Sequence, residues 1–130
     1  MKSSRGFTVI ELLVVVVLLA GSSILFFVQR NNIEVAARDE ARKTSINAMY
    51  YGLEEVYFKE HQSYPRTISS SVLPSIDPEL FKDTSGVKIG ESTSEFRYEP
   101  LNCTDDNCKS YTLRTTLENE DDYVKTSRNS

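Results

Sequence analysis

The segment from Leu12 to Val28 constrains this chain most, because it reads LLVVVVLLAGSSILFFV and holds seventeen residues without a charge. As a helix it is at the lower limit of what crosses the roughly 30 Å hydrocarbon layer of a membrane. Lys2 and Arg5 precede it, so the positive-inside rule predicts a cytoplasmic N-terminus and an extracytoplasmic remainder. A cleaved secretory signal is the weaker alternative, because bulky residues follow the apolar run where a cleavage site needs small ones.

Glu11 is a carboxylate within this apolar sequence. An acid deep in a bilayer costs about 2.5 to 3.5 kcal/mol, and less near the interface, so it needs a cationic partner. The residues one helical turn further on are Val14 and Val15. We therefore predict that the partner lies outside this helix.

The surrounding residues resemble the N-terminus of type IV pilin precursors, including the pseudopilins of type II secretion. The matching residues are Lys2, Arg5, Gly6, Phe7, Thr8, Val9, Ile10, Glu11, Leu12 and Leu13. In that family a prepilin peptidase cuts after the Gly and N-methylates the new terminal Phe. The resemblance implies that residues 1–6 are a leader, that the Gly6–Phe7 bond is cut, and that Glu11 meets the Phe7 amine of a neighbouring subunit. Such pairing would fix the register of assembly.

One departure from the family pattern lies near the end of the apolar segment. Many major pilins have a proline there, whereas this chain has Gly21, Ser22 and Ser23. Glycine and serine weaken a helix without removing its hydrogen bonds as proline does. A local melting of this helix on assembly, known for proline-containing relatives, is therefore not predicted from these residues.

Helical periodicity continues beyond the apolar segment. Residues 7–28 are interpreted as the transmembrane and polymerisation helix, and 29–60 as its amphipathic continuation. Apolar residues recur there at spacings of three and four: Ile33, Ala36, Ala37, Ala41, Ile46, Met49, Tyr50, Leu53, Val56 and Tyr57. Two pairs at helical spacing, Glu40 with Lys43 and Glu55 with Lys59, favour the same helix.

Residues 61–130 are predicted to form a globular head with a long loop over 61–94, a sheet over 95–126 and a flexible tail. Period-two alternation predicts strands at Glu95–Glu99, Ser110–Leu117 and Tyr123–Lys125. The expected fold class is α+β and pilin-like, with a long helix whose second half packs on a small antiparallel sheet. The predicted core consists of Leu53, Val56, Phe96, Tyr98, Tyr111, Leu113 and Leu117.

Cys103 and Cys108 flank the turn sequence TDDN, which indicates a disulfide across a hairpin. Zinc would need two further ligands, and His61 has no second ligand at a suitable spacing. The acidic run Glu118, Glu120, Asp121 and Asp122 is a weak calcium candidate, since it lacks the alternating pattern of calcium loops; Asp105 and Asp106 are weaker still. No metal or other cofactor is predicted.

The sequence thus favours a structural subunit over an enzyme, because it shows no catalytic triad, phosphate loop or metal cluster and has one histidine. The resemblance implies a helical homo-oligomer, a prepilin peptidase, an inner-membrane pilus assembly platform and membrane lipid as partners. It also implies a single-pass plasma membrane precursor that enters an extracellular pilus or an envelope-spanning pseudopilus. A secretion pseudopilin and a monomeric membrane-anchored binding domain remain as alternatives. No basic stripe follows Arg42 and Lys43, so nucleic-acid binding is left open.

Overall fold

The computed structural model describes residues 6–129, and the chain divides into two compact units, Met1–Val35 and Ala36–Ser130. The first unit is helical from Val9 onward, and its apolar side chains lie exposed. The second unit, called the head unit below, holds the sheet, the long loop and the hydrophobic core.

The long helix predicted over residues 7–60 is observed as three consecutive helical segments. Helix α1 is Val9–Tyr51, a π-helical segment follows at Gly52–Tyr57, and α2 is Phe58–His61. Gln62 ends the helix in the left-handed conformation, with a φ of 55°, and its N–H donates to the Phe58 carbonyl at 2.8 Å. The helical pattern is therefore continuous from Val9 to His61.

The π-helical segment changes which residues face the core. Gly52, Leu53 and Glu54 are all buried, although three consecutive residues of a regular α-helix do not share one face. Val56 is 39% exposed, so its predicted place in the core is wrong. The wider π-helical turn shifts the phase of the helix after Leu53 and carries Val56 out of the apolar face.

The sheet has four strands. Strands β2 (Phe96–Thr104) and β3 (Asn107–Thr115) form an antiparallel hairpin. The other edge of β3 pairs with β1 (Tyr64–Pro65) near its start and with β4 (Tyr123–Thr126) near its end. The head unit is thus the predicted α+β, pilin-like arrangement of a helix on a small antiparallel sheet.

The core confirms most of the predicted residues. Leu53, Phe96, Tyr111 and Leu113 are at most 2% exposed, and Tyr98 packs against them while half-buried. Leu117 is also only half-buried, because β3 ends at Thr115 rather than at the predicted Leu117. The long loop supplies further core side chains: Ile68, Leu73, Ile76, Phe81 and Ile89.

The predicted disulfide is present. Cys103 and Cys108 are directly opposite each other on β2 and β3 and are bonded. The turn between them includes Asp105 at a φ of 54°, a conformation that aspartate tolerates better than most residues.

Candidate processing and assembly site

Gly6, Phe7 and Thr8 precede the first helical residue and form no regular structure. Thr8 is the N-cap of α1: its carbonyl accepts from the N–H of Leu12 at 3.1 Å, and its side-chain oxygen accepts from the N–H of Glu11 at 3.3 Å. These are the two hydrogen bonds expected of a threonine at the start of a helix. The Gly6–Phe7 bond therefore lies directly before the helix and outside it.

Glu11 is the acidic residue of the first helical turn and is exposed. The positive end of the helix dipole favours a carboxylate at this position. Glu11 also lines an open hollow of about 540 Å³ together with Gly6, Phe7 and Thr8. The predicted cut bond and the predicted assembly carboxylate thus border one concave surface.

In the described part of the first unit, no other side chains bury the apolar segment. Phe7 is 77% exposed, and the large apolar side chains between Val9 and Val28 are 42–83% exposed. By length and composition the helix Val9–His61 can cross a membrane. An apolar surface of this extent must be covered by lipid or by protein.

The polar residues inside the apolar segment are satisfied within the helix. The hydroxyl of Ser22 donates to the carbonyls of Leu18 and Leu19 at 3.0 and 3.1 Å, and that of Ser23 donates to Leu19 at 2.8 Å. The helix also runs through Gly21 without interruption. These side chains can therefore enter a membrane without leaving a hydroxyl unpaired.

The leader residues Lys2 and Arg5 lie outside the described residues. The described part of the site consequently comprises Gly6, Phe7, Thr8 and Glu11.

The head unit holds a buried charged cluster that the sequence patterns did not reveal. Arg42 is 4% exposed and uses every N–H of its guanidinium. It donates to the carboxylates of Asp39, Glu95 and Glu118 at 2.8–3.0 Å and to the hydroxyl of Thr84 at 3.1 Å. The hydrogen bonds with Glu95 are the main reason that the pKa of the Arg42 side chain is raised above its ordinary value. Arg42 thereby links the helix to three separate segments of the head.

Two of the predicted calcium ligands, Glu118 and Glu120, form ion pairs with basic side chains of the same chain. Arg38 forms a bidentate ion pair with Glu118 at 2.9 and 3.0 Å, and Lys43 forms an ion pair with Glu120 at 3.0 Å. Within residues 6–129 there is no group of three or more His, Cys, Asp or Glu side chains arranged to hold a metal. Asp121 and Asp122 are exposed at the end of the run.

Another buried carboxylate, Glu54, lies under the sheet. It accepts hydrogen bonds from the hydroxyls of Tyr64 and Tyr111, each at 2.9 Å, and from the main-chain N–H of Arg128 at 3.1 Å. Burial is the first reason that the pKa of Tyr111 is raised, and the hydrogen bond to Glu54 adds to it. A flexible tail is predicted after residue 126. In the structure, Arg128 and Asn129 are held by hydrogen bonds to Glu54.

His61 is exposed and lies parallel to the Tyr57 ring, with centroids 4.1 Å apart. Its Nδ1 is 3.1 Å from the Tyr57 carbonyl. Sequence reasoning missed the Arg42 and Glu54 clusters because their partners come from distant parts of the chain. The one local signal for each cluster was that Arg42 and Glu54 are charged residues at positions that helical spacing places on the apolar face.

Comparison with known proteins gives one match. The model of the prokaryotic N-terminal methylation motif matches residues 1–20. No curated protein and no solved structure matches the chain. The chain therefore combines a pilin-like α+β fold with an N-terminal helix that is long and apolar enough to cross a membrane. More particularly, the chain carries the prepilin signature of type IV pilins and pseudopilins, which are structural subunits rather than enzymes.

Proposed function

We propose that this protein is the precursor of a type IV pilus-like filament subunit and is not an enzyme. A prepilin peptidase removes residues 1–6 by hydrolysing the Gly6–Phe7 amide: water supplies the hydroxyl to the Gly6 carbonyl, and Phe7 leaves as a free amine. The amine then takes a methyl group from a sulfonium methyl donor, which leaves as a thioether, and the nitrogen loses a proton. The observation that carries the proposal is the methylation motif over residues 1–20, which extends into the exposed apolar helix that begins at Val9.

Assembly follows from the physical state of that helix. Before assembly, membrane lipid covers the large apolar side chains that are exposed between Phe7 and Val28. In the filament, the same residues of neighbouring copies cover one another, with an inner-membrane assembly platform drawing subunits from the bilayer. The precursor is thus a single-pass protein of the plasma membrane, and the product lies in an extracellular filament.

Glu11 gives this assembly its register. Its carboxylate is exposed among apolar side chains and penalises the isolated subunit in lipid. The methylated Phe7 amine of a neighbouring copy supplies the compensating cation. A buried ion pair of this kind selects one docking position, because any other position leaves both charges unpaired.

The head contributes a negative surface to the filament. Removal of the leader takes away Lys2 and Arg5, which leaves 13 basic and 19 acidic side chains and a formal charge of -6 (15 less 2, against 19). Adhesion, twitching motility and DNA uptake are the roles open to such a filament. A secretion pseudopilin is the alternative that shares the same motif.

The proposal is tested by neutralising Glu11 in cells that assemble the filament. Glu11→Gln removes the charge but keeps the shape, and we expect loss of filaments while the membrane pool of subunit remains. Glu34→Gln is the matched control, because Glu34 is also an exposed helical acid and pairs with Arg30 at 3.2 Å. Normal filaments built from the Glu11 variant would refute the register role. Absence of the unsubstituted protein from the filaments would instead favour a monomeric anchored domain.

A further inference from the structure

The start of α1 lies two residues after the predicted cut bond. Val9 is the first helical residue, and Gly6, Phe7 and Thr8 are outside regular structure. A peptide bond within a helix has its carbonyl and N–H groups committed to the helical hydrogen bonds. A hydrolase reaches such a bond only after local unwinding, so the position of the helix start decides whether the Gly6–Phe7 bond is accessible.

Thr8 sets that position. Its hydroxyl oxygen receives the N–H of Glu11, and its carbonyl receives the N–H of Leu12. Thr8 and Glu11 also have the spacing of a capping box, in which a threonine N-cap is followed three residues later by a glutamate. Such a cap favours one helix start over starts a residue or a turn away.

Within the described residues, which begin at Gly6, no other contact fixes the start so specifically. Phe7 is 77% exposed, and no heavy atom other than its chain neighbours would lie within 4 Å of a Cβ at Gly6. Gly6 is itself a poor helix former, which helps to keep the helix from extending toward the leader but does not define its first residue. The cap is therefore the local interaction that places the scissile bond.

We infer that Thr8 is a positioning residue for leader removal: its N-cap starts the helix at Val9 and holds the Gly6–Phe7 bond in accessible, non-helical chain at a fixed distance from it. This inference rests on the proposed function, because it assumes cleavage at that bond. It assigns to Thr8 a role in processing that is separate from the role of Glu11 in assembly.

The test measures cleavage of the full chain in detergent micelles by membranes that contain a prepilin peptidase, followed by intact mass. Thr8→Val keeps the shape of the side chain but removes the hydroxyl, so that the helix can also start nearer Gly6 and include the Gly6–Phe7 bond. We expect cleavage to slow about 2-fold to 30-fold, the effect of losing one N-cap. Thr8→Ser keeps the hydroxyl and should restore the rate. Ser23→Ala is the matched control, because it removes a hydroxyl from the same helix that bonds within the helix at Leu19.

A second measurement reads the conformation directly. Backbone NMR chemical shifts of the uncleaved chain should show helix from Val9 onward in the unsubstituted protein and in Thr8→Ser, and a start displaced toward Gly6 in Thr8→Val. Equal cleavage rates for all variants would overturn the inference, and so would slow cleavage of both Thr8→Val and Thr8→Ser with an unchanged helix start. Failure of the unsubstituted chain to be cut after Gly6 would instead refute the proposed function itself.

Discussion

The main-chain N–H of Arg128 donates to the buried carboxylate of Glu54 at 3.1 Å, and the Arg128 guanidinium donates to the neighbouring carboxylate of Glu55 at 2.5 Å. Two consecutive helical acids thus hold one residue near the C-terminus. The hydroxyl of Tyr50 lies 2.9 Å from Nε of Arg128 and is the first cause of the raised pKa of that side chain, with Glu55 the second. Arg128 therefore fastens the segment after β4 to the helix.

The first prediction concerns Glu54. Glu54→Ala leaves the hydroxyls of Tyr64 and Tyr111 without their acceptor in a buried site, so we expect the free energy of unfolding of the head to fall by about 2 to 3 kcal/mol. Chemical unfolding followed by tyrosine fluorescence measures it, since the chain has seven tyrosines and no tryptophan. Glu60→Ala, at an exposed position of α2, is the control. A loss below about 0.5 kcal/mol, the range of ordinary surface substitutions, would show that the cluster is not stabilising.

The second prediction concerns Arg42. Arg42→Met keeps most of the side-chain volume but leaves Asp39, Glu95 and Glu118 without their shared cation, and breaking such a buried arrangement costs about 3 to 5 kcal/mol. We expect a head that is unfolded or strongly destabilised, as measured by thermal melting in near-UV circular dichroism. Arg97→Met is the matched control, because Arg97 is exposed on β2. Equal melting temperatures for the two variants would contradict the central place of Arg42.

The third prediction concerns acid. Hydrogen bonds from Arg38 and then Arg42 lower the pKa of Glu118 from its ordinary value of 4.5 to about 2. A group with a lowered folded-state pKa stabilises the fold above its unfolded-state pKa and loses that contribution as the pH falls through the folded-state value. We therefore expect the head to lose stability progressively between about pH 4.5 and 2.

The variant Glu118→Gln tests this acid sensitivity. It should reduce the slope of the free energy of unfolding of the head against pH in this range. Asp122→Asn serves as its control, because Asp122 is an exposed acid of the same run. Unfolding measured by circular dichroism at a series of pH values gives both slopes. If the Gln variant keeps the full slope, the acid sensitivity arises elsewhere.

The fourth prediction concerns the contact between Gly52 and Ile76. A Cβ at Gly52 would lie 2.5 Å from Cδ1 of Ile76 and 3.2 Å from Cγ1. Gly52→Ala should therefore destabilise the head by about 1 to 3 kcal/mol through overpacking, despite the better helix propensity of alanine. Gly21→Ala, at a position with open space, should show no such loss.

A second substitution separates crowding from a requirement for glycine itself. Ile76→Val removes Cδ1, so the double variant Gly52→Ala with Ile76→Val should be more stable than the sum of the single effects predicts. Urea midpoints of the four proteins give the coupling energy. Strict additivity would mean that Ile76 does not set the limit.

Local patterns in the sequence were enough to predict several parts of this molecule. The apolar run, the spacing around Glu11 and the alternation of Tyr111 and Leu113 each depend on residues close together in the chain. Cys103 and Cys108 belong with them, because a short turn separates the two cysteines. Such features can be recognised without knowing the tertiary structure.

The buried charges could not be predicted in that way. Arg42 and Glu54 are charged residues at positions that helical spacing otherwise places on the apolar face, and their partners Glu118 and Arg128 are more than seventy positions away. Val56 was placed in the core because the pattern assumed a regular α-helix, and the π-helical segment is not visible in periodicity. These misses share one cause: tertiary contacts overrode the local pattern.

Leader removal and incorporation into a filament are tested most directly by mass spectrometry of filaments sheared from cells that produce this protein. We predict a subunit that lacks residues 1–6 and whose N-terminal peptide begins with an N-methylated Phe7. Filaments without this polypeptide, or a polypeptide that still carries residues 1–6, would contradict it.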